Sequence, residues 1–461
     1  MSFFGNLFDL SSTFLIPRSD DLKSMLRLAA PVVVVQVGLM LMGVVDTMVV
    51  GRLSAEALAA VALGNLAVLS VAAFGMGMLM ALDPLVAQAV GAGDTGTVRR
   101  SVQRGMVLAA MISVPSGLIL LPGEWVLPFL RQPAEIIPVS AGYARIAILA
   151  LPAFFAFVVF RQTLQAMEKM RPIVVTILIA NVFNLGADWV LVFGWGPIPA
   201  MGALGSAWAT TAGRWLLLLT LALIARKELS PLLWPFEKRI LRWKPLWQTI
   251  RLGAPIGLQI QLEFAAFGVV ALLMGGFGTV EMAAHQVAIN LASLTFMVPL
   301  GVGAAAAVRI GLAVGAGNAE AVRRGTTAAL ICGTGFMVLT GALFVGAAGP
   351  LAAAYTSVPE VLALAVLFIP IAGFFQVFDG IQVVSAGILR GMGDTRAPVV
   401  INVLGFWLLG MPVSLALAFR TSLGPAGLWW GLVAGLGAVA LFLLVRINRQ
   451  LRSEQHRVMV D

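Results

Sequence analysis

Charge is scarce in this chain. Only 11% of its 461 residues are Asp, Glu, Lys or Arg, 60% are hydrophobic, and the mean hydropathy is +0.98. Soluble domains are about 45–50% apolar and about 25% charged, so a water-soluble globule is excluded and an integral membrane protein is expected. Cysteine is almost missing too. Cys332 has no partner for an internal disulfide, and within its apolar segment it reads as a small core residue, silent about redox compartment. There are two histidines. A zinc site needs three or four suitable ligands, and nothing at helical spacing joins His285, which reads as a packed side chain. Residues 1–17 lack a basic stretch and carry Asp9, so a cleavable signal peptide is not expected; a short helix lying on the membrane surface is.

What the chain has is apolar length. A span needs about 20 apolar residues to cross about 30 Å of hydrocarbon. Twelve such segments fall near 26–50, 57–81, 102–121, 140–160, 173–195, 203–225, 252–275, 281–303, 325–347, 361–388, 398–419 and 426–446, the fourth and tenth interrupted by Pro152 and Pro370. Lys and Arg are retained in cytoplasmic loops. All but five of the 30 basic residues (the exceptions are Arg52, Arg131, Arg145, Arg214 and Arg420) lie before the first span, in the connections at 99–104, 161–171, 226–251, 309–324 and 390–396, or after the last span. This alternation predicts cytoplasmic termini. It also accounts for the net charge of +9: the basic groups lie beside an anionic leaflet, and nucleic acid is not called for as a partner.

The chain repeats itself. "LRLAAP" (26–31) recurs as "IRLGAP" (250–255), and "AQAVGAGDTGTVRRS" (87–101) as "GLAVGAGNAEAVRRG" (311–325), both 224 residues on. "EKMRPIVV" (168–175) matches "GDTRAPVV" (393–400), and "GSAW" (205–208) echoes "GLWW" (427–430). The predicted organisation is an N-lobe at 1–225, a basic linker at 226–249, a C-lobe at 250–446 and a basic tail at 447–461. Six spans per lobe is an even number, so the repeat is parallel, an arrangement of transporters that bind substrate between halves.

Four acids interrupt the apolar spans: Asp46, Asp188, Glu263 and Asp379. A carboxylate at mid-bilayer costs about 2.5–3.5 kcal/mol on insertion scales. Neutral polar residues accompany them: Asn184 lies one turn before Asp188 and Gln259 one turn before Glu263, with Thr210, Gln286, Asn290, Gln376 and Gln382 elsewhere in the spans. The plainer account makes these acids fixed struts to Arg161 and Arg214, the mid-membrane or near-interface arginines, which could neutralise two of the four. A desolvated carboxylate without such a partner takes up a proton or a cation, which suits coupling to an ion gradient. "GAGDTG" (91–96) formally matches a dinucleotide fingerprint, but it follows a helix instead of a strand and its copy "GAGNAE" lacks the third glycine. A glycine helix stop followed by a cap at Asp94 or Asn318 is expected instead. No nucleophile elbow or metal-ligand spacing supports an enzyme.

Five stretches together, "GVVDTMVVGRLS" (43–54), "PLVAQAVGAGD" (84–94), "LEFAAFGVVALL" (262–273), "AAHQVAINLASLTFMVPLGVG" (283–303) and "FFQVFDGIQVVSAGILRGMGDT" (374–395), resemble the multidrug and toxic compound extrusion family and its NorM-like branch. The resemblance implies an all-α membrane protein of twelve helices in two pseudo-symmetric six-helix bundles with a V shape. It also implies export of amphipathic, often cationic drugs, driven by Na⁺ or H⁺ entering the cell, from a monomer in the bacterial inner membrane with no cofactor beyond the coupling ion. By that resemblance a C-lobe cation site uses Glu263 and Asp379, with Gln286, Asn290 and Phe375 nearby, and an N-lobe site uses Asp46, Asn184, Asp188 and Thr210. Asp46, Glu263 and Asp379 are further candidates to meet the drug. Phe375 stands where the family usually has tyrosine, which alters any hydroxyl contribution to the ion site. A flippase for lipid-linked sugars is the alternative from the same superfamily; its anionic substrates call for a basic lining, whereas the mid-span charges here are mostly acidic.

Overall fold

The computed structural model describes residues 14–129 and 132–460, and helix accounts for nearly all of them. In chain order the helices are α1 (Ser19–Val50), α2 (Ala55–Leu79), α3 (Leu82–Gly91), α4 (Thr95–Leu120), α5 (Gly123–Phe129), α6 (Ile137–Ile148), α7 (Leu151–Ala166), α8 (Met170–Phe193), α9 (Ala203–Ile224) and α10 (Arg226–Leu233). They continue with α11 (Trp243–Phe277), α12 (Thr279–Gly315), α13 (Ala319–Gly346), α14 (Ala348–Ala353), α15 (Pro359–Gly391), α16 (Arg396–Asn402), α17 (Met411–Arg420) and α18 (Pro425–Arg452), with a π-helical stretch, Val403–Gly410, between α16 and α17. Among the described residues the sole β pairing is an isolated bridge between Trp195 and Ile198. The surface helix expected over 1–17 lies outside the described residues through residue 13, and 14–17 are not helical.

Eleven helical segments are long and apolar enough to span a bilayer, and α6 with α7, bent by 50°, would make the twelfth. The two prolines singled out in the sequence behave differently. Pro152 falls in the first turn of α7, where its missing N–H leaves no bond unmade, and the span breaks there. Pro370 lies inside α15, which runs unbroken for 33 residues. The two "GAG" copies follow the glycine-stop expectation. Gly93 and Gly317 adopt φ of +70° and +67°. The N–H of Asp94 then reaches back to Ala89 O, and that of Asn318 to Ala313 O, both at 2.9 Å, the 6→1 bond of a Schellman stop. Each residue also caps the next helix: Asp94 accepts from Thr97 N at 2.9 Å and Asn318 from Ala321 N at 3.0 Å.

Between apolar helices in lipid, close van der Waals packing replaces the hydrophobic drive, so small residues concentrate at crossings. A Cβ on Gly387 of α15 would sit 2.1 Å from the carbonyl oxygen of Gly303 in α12, and one on Gly431 of α18 would sit 2.0 Å from Ser414 Oγ in α17. Bare glycine is what permits both approaches.

The helices group into two compact units. One consists mainly of Leu258–Val458, with the N-terminal stretch through Val33 and Gly91–Gly93; the other consists mainly of Val34–Val90 and Asp94–Gly257, with the chain end from Met459. Here they are called the second-repeat and first-repeat units. α15 packs against α12, α13 and α18 in the former, and α9 against α6, α7 and α8 in the latter.

Candidate functional site

Each unit encloses one acid cluster. In the second-repeat unit, Glu263 projects from mid-α11, and its Oε1 accepts from three side-chain amides: Gln259 Nε2 at 3.0 Å, one turn earlier on the same helix, Gln382 Nε2 of α15, and Asn402 Nδ2. Oε2 accepts no hydrogen bond among the described residues, and Arg390 of α15 lies within electrostatic reach of this carboxylate. Asp379, buried on α15, lies within electrostatic reach of Glu263. One oxygen is therefore held in place by neutral dipoles while the other stays available. Neutral amide donors orient a carboxylate without neutralising it.

Asn402 was not among the residues singled out in the sequence, although its amide stands alone in the apolar run "VVINVLGFWLLG". It is the last residue of α16, and the π-helical stretch begins immediately after it. Such wide turns occur often at functional sites. Phe375, one turn before Asp379, is buried with its ring edge-on to Phe267 and Trp429, at centroid distances of 5.9 and 5.8 Å. Trp429 in turn contacts His285 at 5.3 Å. His285 is packed as expected, but among the described residues its buried Nδ1 has no hydrogen-bond partner. Gln286 and Asn290 stand apart: both are exposed on α12 and bond to each other at 3.2 Å, and no hydrogen bond among the described residues links them to Glu263 or Asp379.

In the first-repeat unit four sequence candidates meet. Asp46 of α1 accepts from Asn184 Nδ2 of α8 at 3.1 Å and from Thr210 Oγ1 of α9 at 2.9 Å. This singles out Thr210; Thr211 bonds weakly to Ile146 O instead, at 3.4 Å. Asp188, fully buried, lies beside Asp46, Ser206 and Asn184, and neither of its oxygens has a hydrogen bond of good geometry. Like charges held side by side repel. Tyr143 of α6, one of the chain's two tyrosines, is also buried within reach of Asp46 and Thr210; tyrosine scarcity was the signal that could have found it. The strut account is met only in part: Arg214 lies within electrostatic reach of Asp46 without pairing closely. Among the described residues no ion pair joins Arg161 or Arg214 to either acid: Arg161 donates to Gln36 at 3.3 Å, and Arg214 stacks over Phe154 at 4.6 Å.

A nearly all-helical chain with eleven apolar spans, or twelve if the bent pair is one span, and an acid cluster in each unit is a polytopic membrane protein. The MatE family model matches it twice, at residues 31–190 and 255–415, and the chain belongs to that family. Among curated proteins it is similar to the probable multidrug resistance protein NorM of Rhizobium meliloti (strain 1021), with 36% identity over 440 residues covering 93% of this chain and 94% of that one. It is also similar to the multidrug resistance protein NorM of Vibrio vulnificus (strain YJ016), with 34% identity covering 93% and 95%. Among solved structures, the eukaryotic MATE transporter AtDTX14 shares the fold with a TM-score of 0.86 at 24% identity, over 95% of this chain and 99% of that one. An outward-facing multidrug resistance MATE family transporter does so with a TM-score of 0.84 at 19% identity, over 94% and 97%.

Proposed function

We propose that the protein is a multidrug efflux antiporter of the bacterial inner membrane, exporting amphipathic, often cationic compounds in exchange for entering Na⁺ or H⁺ by alternating access. The relatives' role in multidrug resistance supports the substrate class. The observation that carries the coupling is the amide-held Glu263 beside Asp379. A carboxylate drawn out of water gains from a proton or cation that neutralises it. Exchange follows if drug and ion prefer different conformations, because a ligand with equal affinity for both states shifts nothing. The Asp46–Asp188 cluster is a second place for a proton or cation in the same cycle.

Cells expressing the protein and loaded with ethidium are expected to expel it against its concentration gradient, and to stop when ionophores collapse the Na⁺ and H⁺ gradients together. Uphill efflux that continues after the collapse would contradict ion coupling. Equilibration that never runs uphill would mark a passive channel.

A further inference from the structure

The segment joining the two repeats is held against the protein in an unusual way. Gln103 of α4, itself buried, donates to the carbonyls of Leu232, Leu233 and Pro235 at 3.2, 3.1 and 2.9 Å, and accepts from Glu237 N at 3.2 Å. Arg99 of the same helix pairs with Glu237. Leu229, Leu232, Ile240 and Leu246 are buried beneath the segment. This clamp is particular to the first repeat: the residue 224 positions after Gln103 is Thr327. A connector that served only as a tether would gain nothing from four hydrogen bonds to one buried glutamine.

What the clamp presents outward is aromatic and basic. Trp234 is 71% exposed, Trp243 62% and Trp247 52%, with Phe236 exposed between them, and the two later tryptophans stack at 6.0 Å. Arg239, Arg242 and Lys244 are exposed among these rings. Indole rings favour the boundary between headgroups and acyl chains, and a basic residue near an anionic leaflet contributes about 1 kcal/mol of attraction. Exposed rings with cations interleaved match the two halves of one ligand, an acidic headgroup on an apolar chain.

We propose that residues 234–247 form a binding site for anionic phospholipid. The rings seat in the interface while Arg239, Arg242 and Lys244 take the phosphate-bearing headgroup, and Gln103 keeps the segment from folding away. The site stands at the start of α11, the helix that also carries Glu263. It does not depend on the transport reading.

The test uses the full chain in nanodiscs of phosphatidylcholine containing phosphatidylglycerol, with a spin-labelled form of each lipid as probe. The wild type is expected to retain labelled phosphatidylglycerol in preference to labelled phosphatidylcholine, and to lose that preference in high salt, which screens exposed charge. Arg239→Gln, Arg242→Gln and Lys244→Gln combined should cut the preference at least about fivefold. The same charge change at Arg18, Lys23 and Arg27 should leave it in place. Equal retention of the two lipids by the wild type, a preference indifferent to salt, an undiminished preference in the linker variant, or equal loss in the control variant would each overturn the proposal. The salt arm needs no variant, so a preference indifferent to salt overturns the proposal even if the linker variant folds poorly.

Discussion

Glu263→Gln is expected to reduce ion-driven ethidium efflux roughly 5–150-fold, the range that coupling free energies of about 1–3 kcal/mol span, while the variant still reaches the membrane and binds drug. The substitution is nearly isosteric and replaces one carboxylate oxygen by a donor. The three amides that converge on Oε1 can turn over to meet an amide in place of an acid, so the helices need not move. What cannot be restored is the exchangeable charge. A proton has no carboxylate to neutralise and a cation has no anion to approach, so drug release loses its link to ion entry. Efflux at the wild-type rate in this variant would contradict the assignment of Glu263. Lost efflux together with lost drug binding or lost protein would point to a structural role instead.

Trp429→Ala is expected to carry the largest cost in stability. Trp429 heads the fully buried large side chains, and rings surround it: His285 at 5.3 Å, Phe375 at 5.8 Å and Phe368 at 6.5 Å. Truncating a buried tryptophan to alanine costs about 3–5 kcal/mol through lost contacts and the cavity left behind. The contact term survives in lipid because it depends on packing and not on water. Phe375 leans on this ring one turn before Asp379, so the same cavity should loosen the aspartate, and efflux should fall alongside thermal stability measured in detergent. A variant within about 0.5 kcal/mol of the wild type, the usual range for a surface change, would show that the aromatic cluster does not support the site.

The acid clusters were legible because a carboxylate in an apolar run is costly enough to stand out one residue at a time. Asp46, Asn184, Asp188 and Thr210 come together in the first-repeat unit. Asn402 escaped because a lone amide is much cheaper in a membrane helix than a charge, and because its position depends on the π-helical stretch that follows, which no residue pattern announces. Gln286 and Asn290 show the converse: helical spacing puts them one turn apart, and they satisfy each other on an exposed face without joining the carboxylates. Pro152 and Pro370 were equal as symbols. One opens a new helix and the other is absorbed into a long one, a choice made by the packing around each helix. Trp429 appeared in the sequence only as part of an echo, "GLWW", and its place at the centre of an aromatic cluster becomes evident only when α12, α15 and α18 are assembled.

The central claim is that an ion gradient drives drug movement through Glu263. Its most direct test is ethidium transport in proteoliposomes with a Na⁺ gradient and a pH gradient imposed separately, on the wild type and on Glu263→Gln side by side. The account predicts that at least one gradient drives uphill transport by the wild type and that neither does so in the variant. Uphill transport of equal rate in both proteins, or none in the wild type under either gradient, would contradict it.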